Sequence, residues 1–253
     1  MNIMLVGMYG HMGREVVKLA EAGCRGARVV LGVDPGAPEG DAVCRRSFGE
    51  VTAAEIADVD CIVDFSHHSC TADLIAFSKA NKLPVIVCTT GHTPEEAELV
   101  RSASDEIPVF FSANMSLGIA LLVELAKKTA AAMPDAEIEI IEKHHDRKLD
   151  APSGTALMLC DAIREVRPES YAVCGRHGNG KRTPEEIGVH AIRMGNIVGE
   201  HEVIIGTNNQ TITLRHEAHD RALFAEGALA AAEFLAGRPA GLYTMRDIVT
   251  QKN

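Results

Sequence analysis

Residues 142–156 read EKHHDRKLDAPSGTA, a stretch whose residue types and spacing can do acid–base chemistry on an anion. Lys143, His144, His145, Arg147 and Lys148 fall within six positions of a chain whose formal net charge is -10. Directly behind them, Asp150-Ala151-Pro152-Ser153-Gly154-Thr155 leads into the apolar run Ala156-Leu157-Met158-Leu159. Proline before Ser-Gly-Thr and good helix formers predicts a helix N-terminus capped by Ser153. The unpaired N–H groups and partial positive charge of such an end favour an anion. Cationic side chains, imidazoles that exchange protons near neutral pH and a helix N-terminus together predict a site for a small carboxylate-bearing molecule. The competing reading is a solvated loop with a capped helix behind it, which explains any one of these residues better than it explains the set.

A second constellation lies at the start of the chain. Leu5-Val6-Gly7-Met8-Tyr9-Gly10-His11-Met12-Gly13-Arg14 sits where a first strand turns into a first helix. Glycines there permit a tight turn and close approach of backbone to phosphate, with the helix N-terminus behind it. The spacing is G-x-x-G-x-x-G, with Tyr9 in place of the usual second glycine of a dinucleotide fingerprint. Asp34 ends the next strand, where a carboxylate accepts hydrogen bonds from ribose hydroxyls and favours NAD. Pro35 follows it, and the next basic residues are Arg45 and Arg46, so NADH is the expected cofactor and NADPH the secondary one. Two further strand ends, Cys88-Thr89-Thr90-Gly91 and Ser112-Ala113-Asn114-Met115, are candidate contacts for the nicotinamide half.

These groups need elements to hold them. Strands are predicted at 2–6, 28–33, 61–64, 84–88 and 108–111, with helices at 12–22, 70–81 and 94–104 and a weak one near 53–57. This regular alternation predicts a parallel sheet covered by helices on both faces. Beyond Asn114 the pattern changes to a helix at 117–132, a strand at 136–142 and the helix after Ser153. A polar loop, CGRHGNGKRTPEE, then precedes strands at 188–194, 200–205 and 211–216 and a helix at 222–236. Several antiparallel strands with few helices predict a second, α+β domain.

Composition sets limits on function. Hydrophobic residues at 46% and charged ones at 24% suit a soluble globular protein, and no apolar run approaches the roughly 18 residues of a membrane helix. The N-terminus lacks a basic, apolar and small-residue leader, so the expected location is cytoplasmic. An acidic balance without tryptophan argues against nucleic acid as a partner. Seven cysteines without a C-x-x-C pair read as buried small hydrophobes in a reducing compartment. The remaining histidines, including His11, His67, His68, His190, His201 and His216, show no close metal-ligand spacing, and no metal is expected.

With these residues in place, the chain resembles the 4-hydroxy-tetrahydrodipicolinate (dihydrodipicolinate) reductases of lysine biosynthesis. The resemblance runs through VGMYGHMGR, VDFS at 63–66, TTG at 89–91, SANMSLG at 112–118, the whole of 142–156, RMGNIVGEHEV, RHEAHDRALFAEGAL and GLYTMRDIV. The H-H-x-x-K-x-D-A-P-S-G-T block is its most specific part. The resemblance implies a dinucleotide-binding domain, 1–115 with 217–253, and a substrate-binding and tetramerisation domain, 116–216. It implies an acid/base role for His144, a proton-donating and carboxylate-binding role for Lys148, and substrate contacts from His145, Ser153, Gly154 and Thr155. Gly7, Met8, Tyr9, Gly10, His11, Met12, Asp34, Cys88, Thr89, Thr90, Ser112, Ala113, Asn114 and Met115 fall on the family's cofactor segments. A small dicarboxylate substrate and a homotetramer follow as expectations. Two departures stand out: Pro35 where an arginine often follows the acidic residue, and Cys88 where glycine is common. The rivals are a reductase of another small carboxylate and a dinucleotide-sensing protein without turnover, for which the set His144, Lys148, Gly154 and Thr155 would have no use.

Overall fold

The computed structural model describes residues 1–250. Contacts divide the chain into two units, Met1–Ser116 with Ala222–Asn253, and Leu117–Arg221.

The first unit begins with β1 (Asn2–Val6), α1 (His11–Glu21), β2 (Arg28–Val33), β3 (Cys44–Arg45), α2 (Ala53–Ile56) and β4 (Cys61–Asp64). It continues through α3 (Thr71–Asn81), β5 (Val85–Val87), α4 (Pro94–Ala103) and β6 (Pro108–Phe111). The second unit holds α5 (Leu117–Ala132), β7 (Glu137–His144), α6 (Gly154–Arg164), β8 (Tyr171–Cys174), β9 (Glu186–Arg193), β10 (Gly199–Thr207) and β11 (Gln210–Ala218). The chain then adds α7 (Ala222–Leu235), β12 (Gly241–Tyr243) and α8 (Met245–Val249) to the first unit.

Seven parallel strands form the first sheet in the order β12-β6-β5-β4-β1-β2-β3. Chain order reverses between β1 and β4, and at such a switch point the strand ends diverge to leave a crevice for a ligand. Strands buried on both faces should read as continuous apolar runs. NIMLV and CIVD do so, and Ile3, Met4, Leu5, Ile62 and Val63 are fully buried. The short β3, β8, β12 and α8 carry too few residues for a periodic signal and lie outside the sequence expectations.

The second sheet has the order β11-β10-β7-β9-β8. It is mixed: β10 pairs antiparallel with β7 and β11, whereas β9 runs parallel to both β7 and β8. The antiparallel expectation is corrected for β9, because α6 carries the chain back across the sheet between β7 and β8. One face of this sheet packs Ile138, Ile140, Ile187, Val189, Val203 and Ile205 against Ile119, Leu122, Leu159 and Ile163 of α5 and α6. Among the described residues no helix is long and apolar enough to cross a membrane. The cysteines are free, and the buried reading fits Cys44, Cys61, Cys88 and Cys160 but not Cys174, which is exposed.

Candidate active site

In the first unit the glycine turn is held by contacts that only glycine allows. Gly7 has φ +81°, and a Cβ there would lie 2.5 Å from Phe65 O. A Cβ on Gly13 would lie 2.1 Å from Gly7 O, so the first turn of α1 is pressed onto the end of β1. Gly10 precedes α1 without a side-chain cap, so its first N–H groups await a partner. A turn of this shape has the geometry to accept a pyrophosphate, so the residues present fit a dinucleotide.

Asp34 follows β2. Its Oδ2 accepts the Tyr9 N–H at 2.9 Å and its Oδ1 the Gly36 N–H at 2.8 Å. Tyr9 in turn donates its hydroxyl to Asp41, which raises the phenol to about 12. Arg45 pairs with Glu55 and donates to Asp41 O at 2.8 Å.

A cavity of about 480 Å³ opens at the ends of β4, β5 and β6, lined by Met12, Cys88, Thr89, Thr90, Ala113, Asn114 and Met115. Phe65, Ser66, His67 and Phe224 complete it. Gly7 to His11, Asp34 and Ser112 lie outside that lining. The sequence reading considers His67 only as a possible metal ligand and gives Phe224 no role. VDFS and the RALFAEGAL segment carried the available signal.

Beneath the cavity, Asp64 is buried at the end of β4 and accepts the Thr89 hydroxyl at 2.7 Å and the Ser66 N–H at 3.0 Å. Burial raises its carboxyl despite those hydrogen bonds. On the other wall, a Cβ on Gly227 of α7 would strike Met115 O at 1.7 Å. The loop 112–115 is therefore seated directly on that helix.

The second unit places the 142–156 stretch at the end of β7. Alternation puts Ile138, Ile140, Glu142 and His144 on the buried face, so that face turns from apolar to ionisable along one strand. A carboxylate removed from water needs donors, and Glu142, 0% exposed, has four. His144 Nδ1 lies 2.6 Å from Oε2, Arg193 donates at 2.8 and 2.7 Å, and Ser153 N–H donates at 3.0 Å. Burial would raise the Glu142 carboxyl, but these bonds outweigh it and hold it down to about 2.

Ser153 caps α6, its hydroxyl accepting Ala156 N–H at 3.3 Å. The same oxygen lies 3.2 Å from His201 Nε2. His201 meets the His144 ring edge to face at 5.2 Å. Burial, reinforced by the neighbouring His144, pushes His201 down to about 4.

Lys148 Nζ pairs with Asp150 at 2.8 Å. The Nδ1 of His145 is buried with no hydrogen-bond partner among the described residues. A Cβ on Gly154 would meet nothing within 4 Å, so the helix end is open there. The sequence reading ends the strand at Glu142 and gives His201 no role beyond the absence of metal-ligand spacing. It therefore missed Glu142, Arg193 and His201 as members of the cluster. Among the described residues no group of three or more His, Cys, Asp or Glu is arranged to hold a metal ion.

The seven-stranded parallel sheet, the glycine turn and the cavity at the strand ends define a nicotinamide-dinucleotide oxidoreductase. Family models described as the N-terminus and the C-terminus of dihydrodipicolinate reductase match residues 1–115 and 118–249. The chain belongs to the dihydrodipicolinate reductase family. It is 46% identical over 250 residues to the 4-hydroxy-tetrahydrodipicolinate reductase of Caldanaerobacter subterraneus subsp. tengcongensis, covering 98% of each chain. It is 41% identical to that of Clostridium novyi, over 100% of this chain and 99% of the relative. Its fold is similar to that of a dipicolinate-bound dihydrodipicolinate reductase from Paenisporosarcina sp. TG-14, with a TM-score of 0.77 at 24% identity over 96% and 97% of the two chains.

Proposed function

We propose that this chain reduces 4-hydroxy-tetrahydrodipicolinate (dihydrodipicolinate) to tetrahydrodipicolinate, with NAD(P)H as reductant, in the diaminopimelate route to lysine. The observation that carries this reading is the gathering of His144, Ser153 and the open end of α6 around the last residues of β7. It gives chemical sense to the block most specific to the family.

The substrate is a cyclic, unsaturated dicarboxylate with a ring nitrogen. Gly154 and Thr155 at the start of α6 bind one carboxylate, assisted by the partial charge of the helix end. Lys148, paired with the exposed Asp150, exchanges that partner for a substrate carboxylate and neutralises charge as it develops. Once the 4-hydroxyl has left as water, a reduced nicotinamide would supply the hydride to the unsaturated ring when bound. His144 provides the proton that completes the reduced ring, a contribution that typically amounts to about 10²- to 10⁴-fold.

For the cofactor, NADH is the preferred form. Support comes from the Asp34 carboxylate, from Pro35 beside it, and from Arg45, whose guanidinium is engaged by Glu55. The first unit serves as the dinucleotide domain, the second as the substrate domain, and the assembly is a homotetramer in the cytoplasm. The nine-residue outer strand β11, with its unpaired edge, supports association between copies.

Pyridine-2,6-dicarboxylate tests the substrate class. It should inhibit competitively against the substrate; absence of binding would contradict the reading.

A further inference from the structure

We propose that Glu142 is a positioning residue for the reaction: held by Arg193, it fixes His144 in the tautomer that leaves Nε2 as the proton-transferring atom. The proposal rests on the acid/base reading of His144 and adds to it a mechanism for choosing between the two ring nitrogens.

An ionised carboxylate only accepts hydrogen bonds, so the 2.6 Å contact requires a proton on His144 Nδ1. In the neutral ring Nε2 then carries the lone pair; in the charged ring it carries the proton that can leave. Glu142 is anionic throughout the working range, because His144, Arg193 and the Ser153 N–H together outweigh its burial. A proton held between Nδ1 and such an anion is not the one transferred. A Cβ on Gly199 would come within 3.1 Å of Nε2, so only glycine at that position leaves the nitrogen uncrowded on that side. A buried carboxylate that orients a histidine through the nitrogen not used in chemistry is a recurrent arrangement at metal and hydrolytic sites; here it serves neither a metal nor a nucleophile.

Arg193 makes the arrangement rigid. Its guanidinium grips both Glu142 oxygens and also donates to Asp150 O at 2.6 Å and Ile192 O at 2.8 Å. Fork-to-carboxylate pairing fixes orientation as well as charge. Glu142 also receives the Ser153 N–H, so one side chain ties His144 on β7 to the cap of α6, whose next residues form the proposed carboxylate clamp. Proton donor and clamp are thereby set in one frame. Other titratable groups beside His144 are His201 from β10, whose ring lies 5.2 Å away, and His145, its neighbour in the chain. Neither makes a hydrogen bond to the ring.

The test combines ¹⁵N NMR of the His144 ring with steady-state kinetics on the full chain and its Glu142→Gln and Glu142→Asp variants. In the unaltered protein the neutral ring should carry its proton on Nδ1. Glu142→Gln should lose that preference and cut kcat by about 10²-fold or more, while KM and the affinity for pyridine-2,6-dicarboxylate stay within threefold. Glu142→Asp should recover part of kcat. A residue that only supports the fold would lower thermal stability without altering the tautomer or separating kcat from KM. An Nε2–H tautomer in the unaltered protein overturns the proposal, and this arm needs no variant to fold. Near-normal kcat in Glu142→Gln with a slow His144→Ala overturns the proposal alone. Near-normal turnover in His144→Ala overturns the acid/base reading as well.

Discussion

The backbone N–H of Tyr9 donates to Asp34 Oδ2 at 2.9 Å, so the carboxylate assigned to ribose recognition also ties the glycine turn to the end of β2. Each oxygen of Asp34 holds one backbone N–H and keeps a second lone pair for a ribose hydroxyl. A 2′-phosphate would meet that negative charge. Asp34→Ala should therefore weaken NADH by about tenfold or more, in line with about 1.5–3 kcal/mol for hydrogen bonds to a charged group, and change NADPH much less. Fluorescence titration with both cofactors measures this, and tighter binding of NADPH by the unaltered chain would count against it.

His144→Ala and Lys148→Ala should each lower kcat by about 10²- to 10⁴-fold. Both residues lie in the second unit, while the glycine cradle and the 480 Å³ cavity belong to the first. NADH affinity should accordingly stay within about twofold. Turnover assays paired with cofactor titration separate the two effects.

Gly13→Ala should damage both folding and cofactor binding. The added methyl would lie 2.1 Å from Gly7 O, a backbone atom that cannot rotate away. Overpacking of this kind typically costs about 1–3 kcal/mol, and it pushes α1 off the turn that it presents to a pyrophosphate. Lower thermal stability with at least a tenfold loss of NADH affinity is expected, whereas Gly180→Ala, with open space around it and no left-handed backbone, should leave cofactor affinity unchanged.

His201 makes stability depend on pH. Burial takes it from an ordinary 6.5 to about 4, so the folded state favours the neutral ring. Its contribution is complete above pH 6.5 and is lost as pH falls through the window towards 4, amounting to about 3 kcal/mol. Glu142, held down to about 2, is lost only below its ordinary 4.5. Thermal melts from pH 7 to 4 should fall steeply in the unaltered protein and more gently in His201→Gln; equal slopes would contradict this origin.

Much of the fold was legible because burial wrote it into the chain. The runs 2–6, 28–33, 61–64, 108–111 and 117–132 match β1, β2, β4, β6 and α5 residue for residue. The structure shows a strand at 171–174 that the sequence did not betray, because Tyr171, Ala172 and Cys174 of this outer strand are exposed and leave no alternation to detect. The parallel pairing of β7 with β9 depends on contacts between residues about fifty apart, which periodicity does not encode.

At the site, the glycine turn and the Ser153 cap could be read because each requires a particular residue type locally. Glu142 could not. Its alternation looked like an ordinary strand, and the basic residues after it looked like the start of a loop, although β7 continues to His144. Arg193 and His201 become meaningful only when β9 and β10 flank that strand.

The most direct test of the whole account follows NADH and NADPH consumption separately, with 4-hydroxy-tetrahydrodipicolinate generated in place by the preceding synthase. The account predicts substrate-dependent oxidation of both, faster with NADH, and loss of it in His144→Ala. No consumption of either cofactor by the folded, unaltered protein would contradict it.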